Sequence, residues 1–586
     1  GHDNDGDGDT DGDDVDCFVV VEDCDNGVDD DDDEDVDCVD EDCNGVSGAG
    51  GTSVAANGLI ATNMILIDAN AALRDSFASV GGSLGVESED SATITAENTA
   101  STSSSGVAAG VVLAFNTVGW QAQNIFSAAI DTLIGTDGLG EAQSATSSAE
   151  ISNTMLEVGE DLSLTAVSVP EINASIENTV NSTGGAAVGL VLASNLVSAN
   201  ANALLTPKST TGAEQIPDIV FNVGGNVLAK SSDTASIVAR IGAAVGSEGA
   251  AAMGAQLVRN DVRSTVLTLV DSALLDAGGD ITLLSRGSAS IKALLTDQKL
   301  LPLDGNEETS DPAAEAPADV TAAEEPAADA ASASMALKGL IATNLVLSDV
   351  RVTVLDSDLH AGGDLSMLAR NAANIDAENS AKADASGAAV GVTLAFNTIG
   401  WKAQNVLFSA LDTLLGTSIG DEQPAQILAT VTNSNLVADG NLSVDAEAQE
   451  QINATIANEA SSSGASVAAG MVLASNLLSA RARASVTPSL TTPRRVTLSA
   501  GGSLQVTASD EAGITADVSM IASSGGAAAV GGLVVRNDVR SQVLAEVENV
   551  DGAATEDFWV LALESATIEA TLAGETKSLA TAADPA

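Results

Sequence analysis

Between residues 161 and 174 the chain reads DLSLTAVSVPEINA, and apolar and polar side chains take turns through much of it. The same alternation runs through 364–377, DLSMLARNAANIDA, and 441–454, NLSVDAEAQEQINA. A period of two sends successive side chains to opposite faces, so these stretches predict half-buried β-strands. Each follows a tight Gly-containing corner. The corners are Gly81-Gly82-Ser83-Leu84, Gly159-Glu160-Asp161-Leu162, Gly224-Gly225-Asn226-Val227 and Gly278-Gly279-Asp280-Ile281, then Gly362-Gly363-Asp364-Leu365, Asp439-Gly440-Asn441-Leu442 and Gly501-Gly502-Ser503-Leu504. An eighth departs from the pattern, with Asp551-Gly552-Ala553. Ahead of each corner lies a strand of small residues that ends in asparagine: Asn63, Asn116, Asn195, Asn260, Asn344, Asn397, Asn476 and Asn537. Only at 122–134 and 403–415 does the apolar spacing leave a helix open.

The repeats nest. Residues 106–136, GVAAGVVLAFNTVGWQAQNIFSAAIDTLIGT, return at 387–417 as GAAVGVTLAFNTIGWKAQNVLFSALDTLLGT. GLIATN occurs at 58–63 and 339–344, VLASNL at 191–196 and 472–477, and LVRNDVRS at 257–264 reappears as VVRNDVRS at 534–541. The chain therefore divides into 1–50, a first β-repeat block at 51–302, a Pro-, Ala- and Glu-rich acidic linker at 303–334, and a second block at 335–586. Stacked strands with one-dimensional self-similarity predict an all-β fold, a repetitive β-helix-like β-solenoid in two homologous blocks. The alternative is a set of long antiparallel meanders or sandwiches. Successive corners lie some 54 to 84 residues apart, so each unit is expected to hold two or more turns of coil. Equivalent asparagines in such a stack can form a hydrogen-bonded ladder; a turn asparagine in a left-handed conformation is the plainer reading.

Composition narrows the function. The net charge is −62, of which residues 1–50 carry 22 acidic groups with no Lys or Arg. That field repels nucleic acid and anionic membranes and attracts divalent cations. Aromatic residues are 2% of the chain, with no Tyr, so the core must be built from Val, Leu, Ile and Ala. No apolar run reaches the ~18–20 residues a spanning helix needs, and a membrane barrel would want aromatic girdles. No membrane insertion is expected. Trp120 and Trp401 occupy equivalent positions and read as core or corner plugs. The chain opens Gly1-His2, so an export signal is expected to have been removed or to lie outside it. Residues 581–586, TAADPA, resemble the start of the linker, which fits a longer parent with further copies or a natural terminus.

The head carries the densest chemistry. Asp3, Asp5, Asp7, Asp9, Asp11 and Asp14 fall on the ligand positions of an EF-type calcium loop, with Gly8 at its sharp turn. In the same register Asp29, Asp31, Asp33, Asp35, Asp37 and Asp40 form a second candidate loop, with Glu34 at the turn position. Calcium takes six to eight hard oxygens, and carboxylates at alternate positions of a curling loop supply them. Zinc fits less well, because carboxylates outnumber Cys17, Cys24, Cys38 and Cys43 and paired C-x₂-C knuckles are missing. An acidic solvated tail is the plain alternative. The first loop resembles thrombospondin type 3 repeats and dockerins. Residues 22–43, EDCDNGVDDDDDEDVDCVDEDC, resemble an Asp- and Cys-rich motif of secreted multidomain bacterial proteins, which implies Ca2+ binding and export, with disulfides as a brace.

The recurring AAVG-V-x-LAxN strands and the GGDL-x-L-x-A segments resemble the Ala/Gly-rich repeats of bacterial adhesins and haemagglutinin-like surface proteins. That resemblance implies a secreted or cell-surface location. Catalysis has little to draw on: His2 lies in the acidic head, and His360 has Ser79 as its counterpart in the other block. No enzyme is expected. The expected role is an extracellular fibre, sheath or adhesin-stalk subunit that associates with neighbouring copies of itself. A surface adhesin that binds glycan or a host ligand is the alternative, and a polysaccharide-cleaving β-helix enzyme is less favoured.

Overall fold

The computed structural model describes residues 53–119, 144–206, 220–299, 334–400, 423–464, 467–489, 495–526 and 528–579. Among them the regular structure is entirely strand, and all pairings are parallel. The chain winds through eight coils, residues 54–104, 107–182, 186–247, 251–296, 335–385, 388–462, 467–524 and 528–578. Each coil contributes to an 11-stranded first wall, an 8-stranded short side and a 10-stranded second wall. Parallel pairing throughout excludes the antiparallel meander or sandwich. The β-solenoid reading holds.

The walls are long because the alternation is long. Leu162–Ser182 and Leu365–Ala385 are 21-residue strands in which every second side chain is buried. At about 3.3 Å per residue such a strand spans roughly 70 Å. The inward rows are Val, Leu, Ile and Ala, and nearly all of them join one continuous apolar core. Each repeat unit is one coil, not two or more. The variable spacing between corners comes instead from segments inserted between strands, either within one coil, as 120–143 between Val107–Val118 and Ala145–Ser152, or between coils, as 297–334 between Ser290–Thr296 and Met335–Leu355. The helix alternatives at 122–134 and 403–415 fall outside the described residues, as does most of the 303–334 linker. Pairing continues from one block to the other: Ala251–Asp271 pairs with Met335–Leu355 over its whole length.

Side chains tie the corners from coil to coil. Where the first wall meets the short side, Asp75, Asn153, Ser272, Asp356, Asn433 and Asn549 sit at φ between 46° and 57°. Asn and Asp tolerate that left-handed conformation because their short polar side chains bond locally. Asn153 Nδ2 donates to Asp75 Oδ1 at 2.6 Å. Where the short side meets the second wall, each Asx oxygen accepts the backbone N–H of the next coil. Asp161 takes Asn226 at 2.7 Å, Asn226 takes Asp280 at 2.9 Å, Asp280 takes Asp364 at 2.8 Å and Asp364 takes Asn441 at 2.6 Å.

This capping oxygen dictates the residue above it. Gly225, Gly279, Gly363, Gly440 and Gly502 each follow a coil bearing Asp or Asn at the capping position, and a Cβ on any of them would collide with that Oδ1. Where the capping residue is serine the glycine gives way to glutamate: Ser83 bonds Glu160 and Ser503 bonds Glu556, both at 3.2 Å. Gly363→Ala is accordingly expected to cost about 1–3 kcal/mol, the range for an overpacked site. Thermal unfolding followed by circular dichroism checks it, and an unchanged midpoint would show that the corner relaxes freely.

Candidate functional site

All twelve aspartates proposed as calcium ligands, and the four cysteines, lie outside the described residues, as do Trp120 and Trp401. What the structure brings together instead is a set of polar rows running along the stack. The eight first-wall asparagines form an unbroken ladder; expected at strand ends, most lie mid-strand, as Asn195 does in Ala186–Thr206 and Asn260 in Ala251–Asp271, because the alternation continues past them. Asn63 donates through Nδ2 to Asn116 Oδ1 at 2.8 Å, Asn116 to Asn195 at 2.9 Å, Asn195 to Asn260 at 2.8 Å and Asn260 to Asn344 at 2.8 Å. The row continues to Asn397, Asn476 and Asn537 at 2.8, 2.9 and 2.8 Å. Asn116 through Asn476 are buried. Each amide there spends one donor and one acceptor on its neighbours, which is how a buried polar side chain is kept satisfied.

A second row holds acids. On the inward face of the second wall Asp90, Ser168, Asp233, Gly287, Asn371, Ala448 and Asp510 stand in register. Neither carboxylate oxygen of Asp90, Asp233 or Asp510 has a hydrogen-bond partner. Burial pushes Asp233 up to about 7, a rise softened by the nearby Ser264, Ala235 amide and Ser168 and enhanced by Asp90. Asp510 is raised by burial, and Glu450 is held well above the usual carboxylate range by burial and by the charge of Asp510. An alternating strand gives no warning of this row, because an acid at an even position reads like any other polar break in the pattern. The only available signal was register: aligning the corners places Asp90, Asp233 and Asp510 on the same face as the leucines.

The raised Asp233 carboxyl makes stability depend on pH. Its folded state holds a proton that the unfolded chain releases near 3.8, so the contribution is whole below that value and is lost as pH rises to about 7. At about 1.4 kcal/mol per unit, the full swing is on the order of 4 kcal/mol. Asp233→Asn is therefore expected to stabilise the protein at pH 8 and to leave it nearly unchanged at pH 4. Denaturant melts at the two pH values check this; equal effects at both would mean that Asp233 ionises freely in the fold.

A third cluster sits where the two blocks meet. The second-wall strand of coil 4 stops at Thr296, opposite Ser380, while the strands on either side run on to Ser247 and Ala385. Lys338 occupies the space left free. Its register neighbours on the first wall are Gly254 and Gly391, members of a row otherwise filled by Asn57, Gly110, Gly189, Gly470 and Gly531. Lys338 Nζ donates to the Val245 carbonyl at 2.9 Å and lies 3.9 Å from Asp297 Oδ2. Asp297 Oδ2 in turn accepts the Lys382 backbone N–H at 2.8 Å. The pair thus serves backbone groups of both flanking strands. Burial raises Asp297 to about 6, opposed by the Lys338 charge, and burial lowers Lys338.

His360 lies on the exposed short side, with Nδ1 2.7 Å from Asp276 Oδ1 and Nε2 3.7 Å from Asp439 Oδ1. The hydrogen bond to Asp276 leads in raising its pKa. Among the described residues no group of three or more His, Cys, Asp and Glu side chains is arranged to hold a metal ion. No protein-family model, curated protein or solved structure matches this chain.

The remaining candidate surfaces are the two ends of the stack. Among the described residues no coil covers the outer edge of coil 1 or of coil 8. Leu59, Ile65 and Leu73 of coil 1, and Val535, Val539 and Val543 of coil 8, point inward but are only partly buried. Their counterparts inside the stack, Leu340, Val346 and Val354 in coil 5 and Val258, Val262 and Val266 in coil 4, are no more than 1% exposed.

Proposed function

We propose that this chain is an extracellular structural protein, a subunit of a fibre, sheath or adhesin stalk, with a calcium-binding N-terminal segment. The observation that carries the reading is the continuous parallel stack, whose interior from coil to coil is built mainly of apolar rows and of the asparagine ladder. Such a body gains length by repetition, and each coil is stabilised mainly by its two neighbours. The spacing of Asp3, Asp5, Asp7, Asp9, Asp11 and Asp14 supports calcium, which would stiffen the head. The acidic surface favours solubility outside the cell and the company of divalent cations.

The test uses the whole chain. Calorimetric titration should show saturable heat with calcium, weakened when Asp5 and Asp7 are changed to Asn, and negative-stain images should show elongated particles. Absence of heat, with protease sensitivity unchanged by millimolar calcium, would remove the metal from the reading. Release of products from an acidic polysaccharide, abolished by changing one carboxylate pair, would replace the structural role with an enzymatic one.

A further inference from the structure

We propose that copies of this chain join head to tail, coil 8 of one copy stacking on coil 1 of the next in the register of the internal joint between coils 4 and 5. The proposal rests on the structural-subunit reading and adds to it the contact surface and its register. Its template is inside the chain. Coil 8 carries VVRNDVRS where coil 4 carries LVRNDVRS, and coil 1 carries GLIATN where coil 5 does. Coils 4 and 5 pair across the block boundary over 21 residues, with Val262 opposite Val346 and Asn260 opposite Asn344. By equivalence Val539 would face Ile65 of the next copy, and Asn537 would face its Asn63. At the internal joint one strand ends at Thr296 and the next begins at Met335, and the first-wall pairing runs on across the boundary.

Three features of the ends match. Both expose inward apolar rows that their counterparts in coils 4 and 5 bury fully, so stacking removes apolar surface from water. The ladder is polar in the directional sense: each Nδ2 donates to the Oδ1 of the coil above, which leaves an Asn537 donor at one end to meet an Asn63 acceptor at the other. The corner rule supplies the third. Inside the chain glycine is required wherever the coil below ends its corner in Asp or Asn, yet among the described residues no coil lies below Gly82, and a Cβ there would meet nothing nearer than Glu160 Oε2 at 3.9 Å. Coil 8 ends its corner in Asp557. Placed beneath coil 1, Asp557 supplies the carboxylate that Gly82 is shaped to admit. A contact of this kind is heterologous and unclosed, so it propagates as a filament.

Sedimentation of the full chain at rising concentration is the test, in roughly 1 M salt, where a Debye length of about 3 Å screens the repulsion between acidic copies. Wild type is expected to pass from monomer through dimer to longer species. Gly82→Val has open room in the single chain and should fold normally, while weakening association by roughly a hundredfold through the clash with Asp557. Val539→Lys and Ile65→Lys should each be monomeric, and their mixture should stop at the dimer, since each retains the one end the other lacks. Circular dichroism confirms that each variant is folded. A wild type that stays monomeric at every concentration overturns the proposal, as does association of Gly82→Val equal to wild type. Self-dimerisation of Ile65→Lys would replace it with a symmetric end-to-end contact. A monomer that is nonetheless elongated and binds calcium would sink the joint alone; polysaccharide cleavage by a chain that still polymerises would sink the structural reading alone.

Discussion

Replacing Asn260 by alanine is expected to lower the stability of the central coils by roughly 2–5 kcal/mol, one of the two largest effects of a single substitution in this chain. Asn260 accepts from Asn195 and donates to Asn344, each at 2.8 Å, and all three are buried. Its loss leaves a buried donor on Asn195 and a buried acceptor on Asn344, each costing about 1–3 kcal/mol when unpaired. Asn63→Ala is the internal control. Asn63 is exposed and makes one ladder bond, to Asn116, so a loss below about 1 kcal/mol is expected. Asn260→Asp separates hydrogen bonding from packing: it keeps the acceptor for Asn195 but turns an oxygen toward Asn344 Oδ1. Its penalty should shrink in acid, where the carboxyl recovers a proton to donate. In a stack of repeats unfolding can start locally, so amide hydrogen exchange at coils 3 to 5 is the measurement to make alongside the melt. Equal losses for Asn260→Ala and Asn63→Ala would reduce the ladder to a packing feature.

The ladder was legible in the sequence because its members recur after one kind of small-residue segment, although most prove to lie mid-strand, and the stacked class and the corners were legible too. What misled was spacing. Asn63 to Asn116 is 53 residues while Asn116 to Asn195 is 79, and the difference looks like additional coil. It is an insertion between strands of one coil, and the strands are simply three to four times longer than the mean strand. The interior acids were hidden for a different reason. Alternation tells which residues share a face but not which face is inside when small polar residues occupy both, as in VLAKSSD, where Ser231 and Asp233 point inward beside Val227 and Ala229. The requirement for glycine or glutamate at the corners depends on the preceding coil, and becomes readable only when coils are aligned in register. The calcium loops of the head rest on sequence, since they fall outside the described residues.

Lys338→Met is expected to cost about 3–5 kcal/mol, the usual penalty for removing one member of a buried ion pair. The methionine keeps the length and most of the apolar stem that passes beside Gly254, so lost packing is small. Two groups are left behind: the Val245 carbonyl, which no coil-4 strand residue pairs with, and the Asp297 carboxylate, whose Oδ1 already has no partner. The effect has a pH signature. Asp297 is held near 6 with Lys338 present, and without that opposing charge burial pushes it higher still. At pH 5 the orphaned carboxyl of the variant is protonated and neutral; at pH 8 it is forced toward the charged form. The deficit is therefore expected to be larger at pH 8 than at pH 5. Adding Asp297→Asn to Lys338→Met should recover part of the loss at pH 8, because the amide oxygen still caps the Lys382 N–H without bringing a charge. Denaturant melts of the two single variants and the double, at both pH values, form the cycle that isolates the pair. A deficit independent of pH, or no recovery in the double variant, would mean that Lys338 acts by filling the interrupted strand and not by its charge. The lysine stands in a first-wall row that carries glycine in every other coil but the first, which has Asn57, and it lies opposite the second-wall strand that is cut short. Charge and volume together there allow the duplicated blocks to stack as one body beside the interrupted second-wall strand.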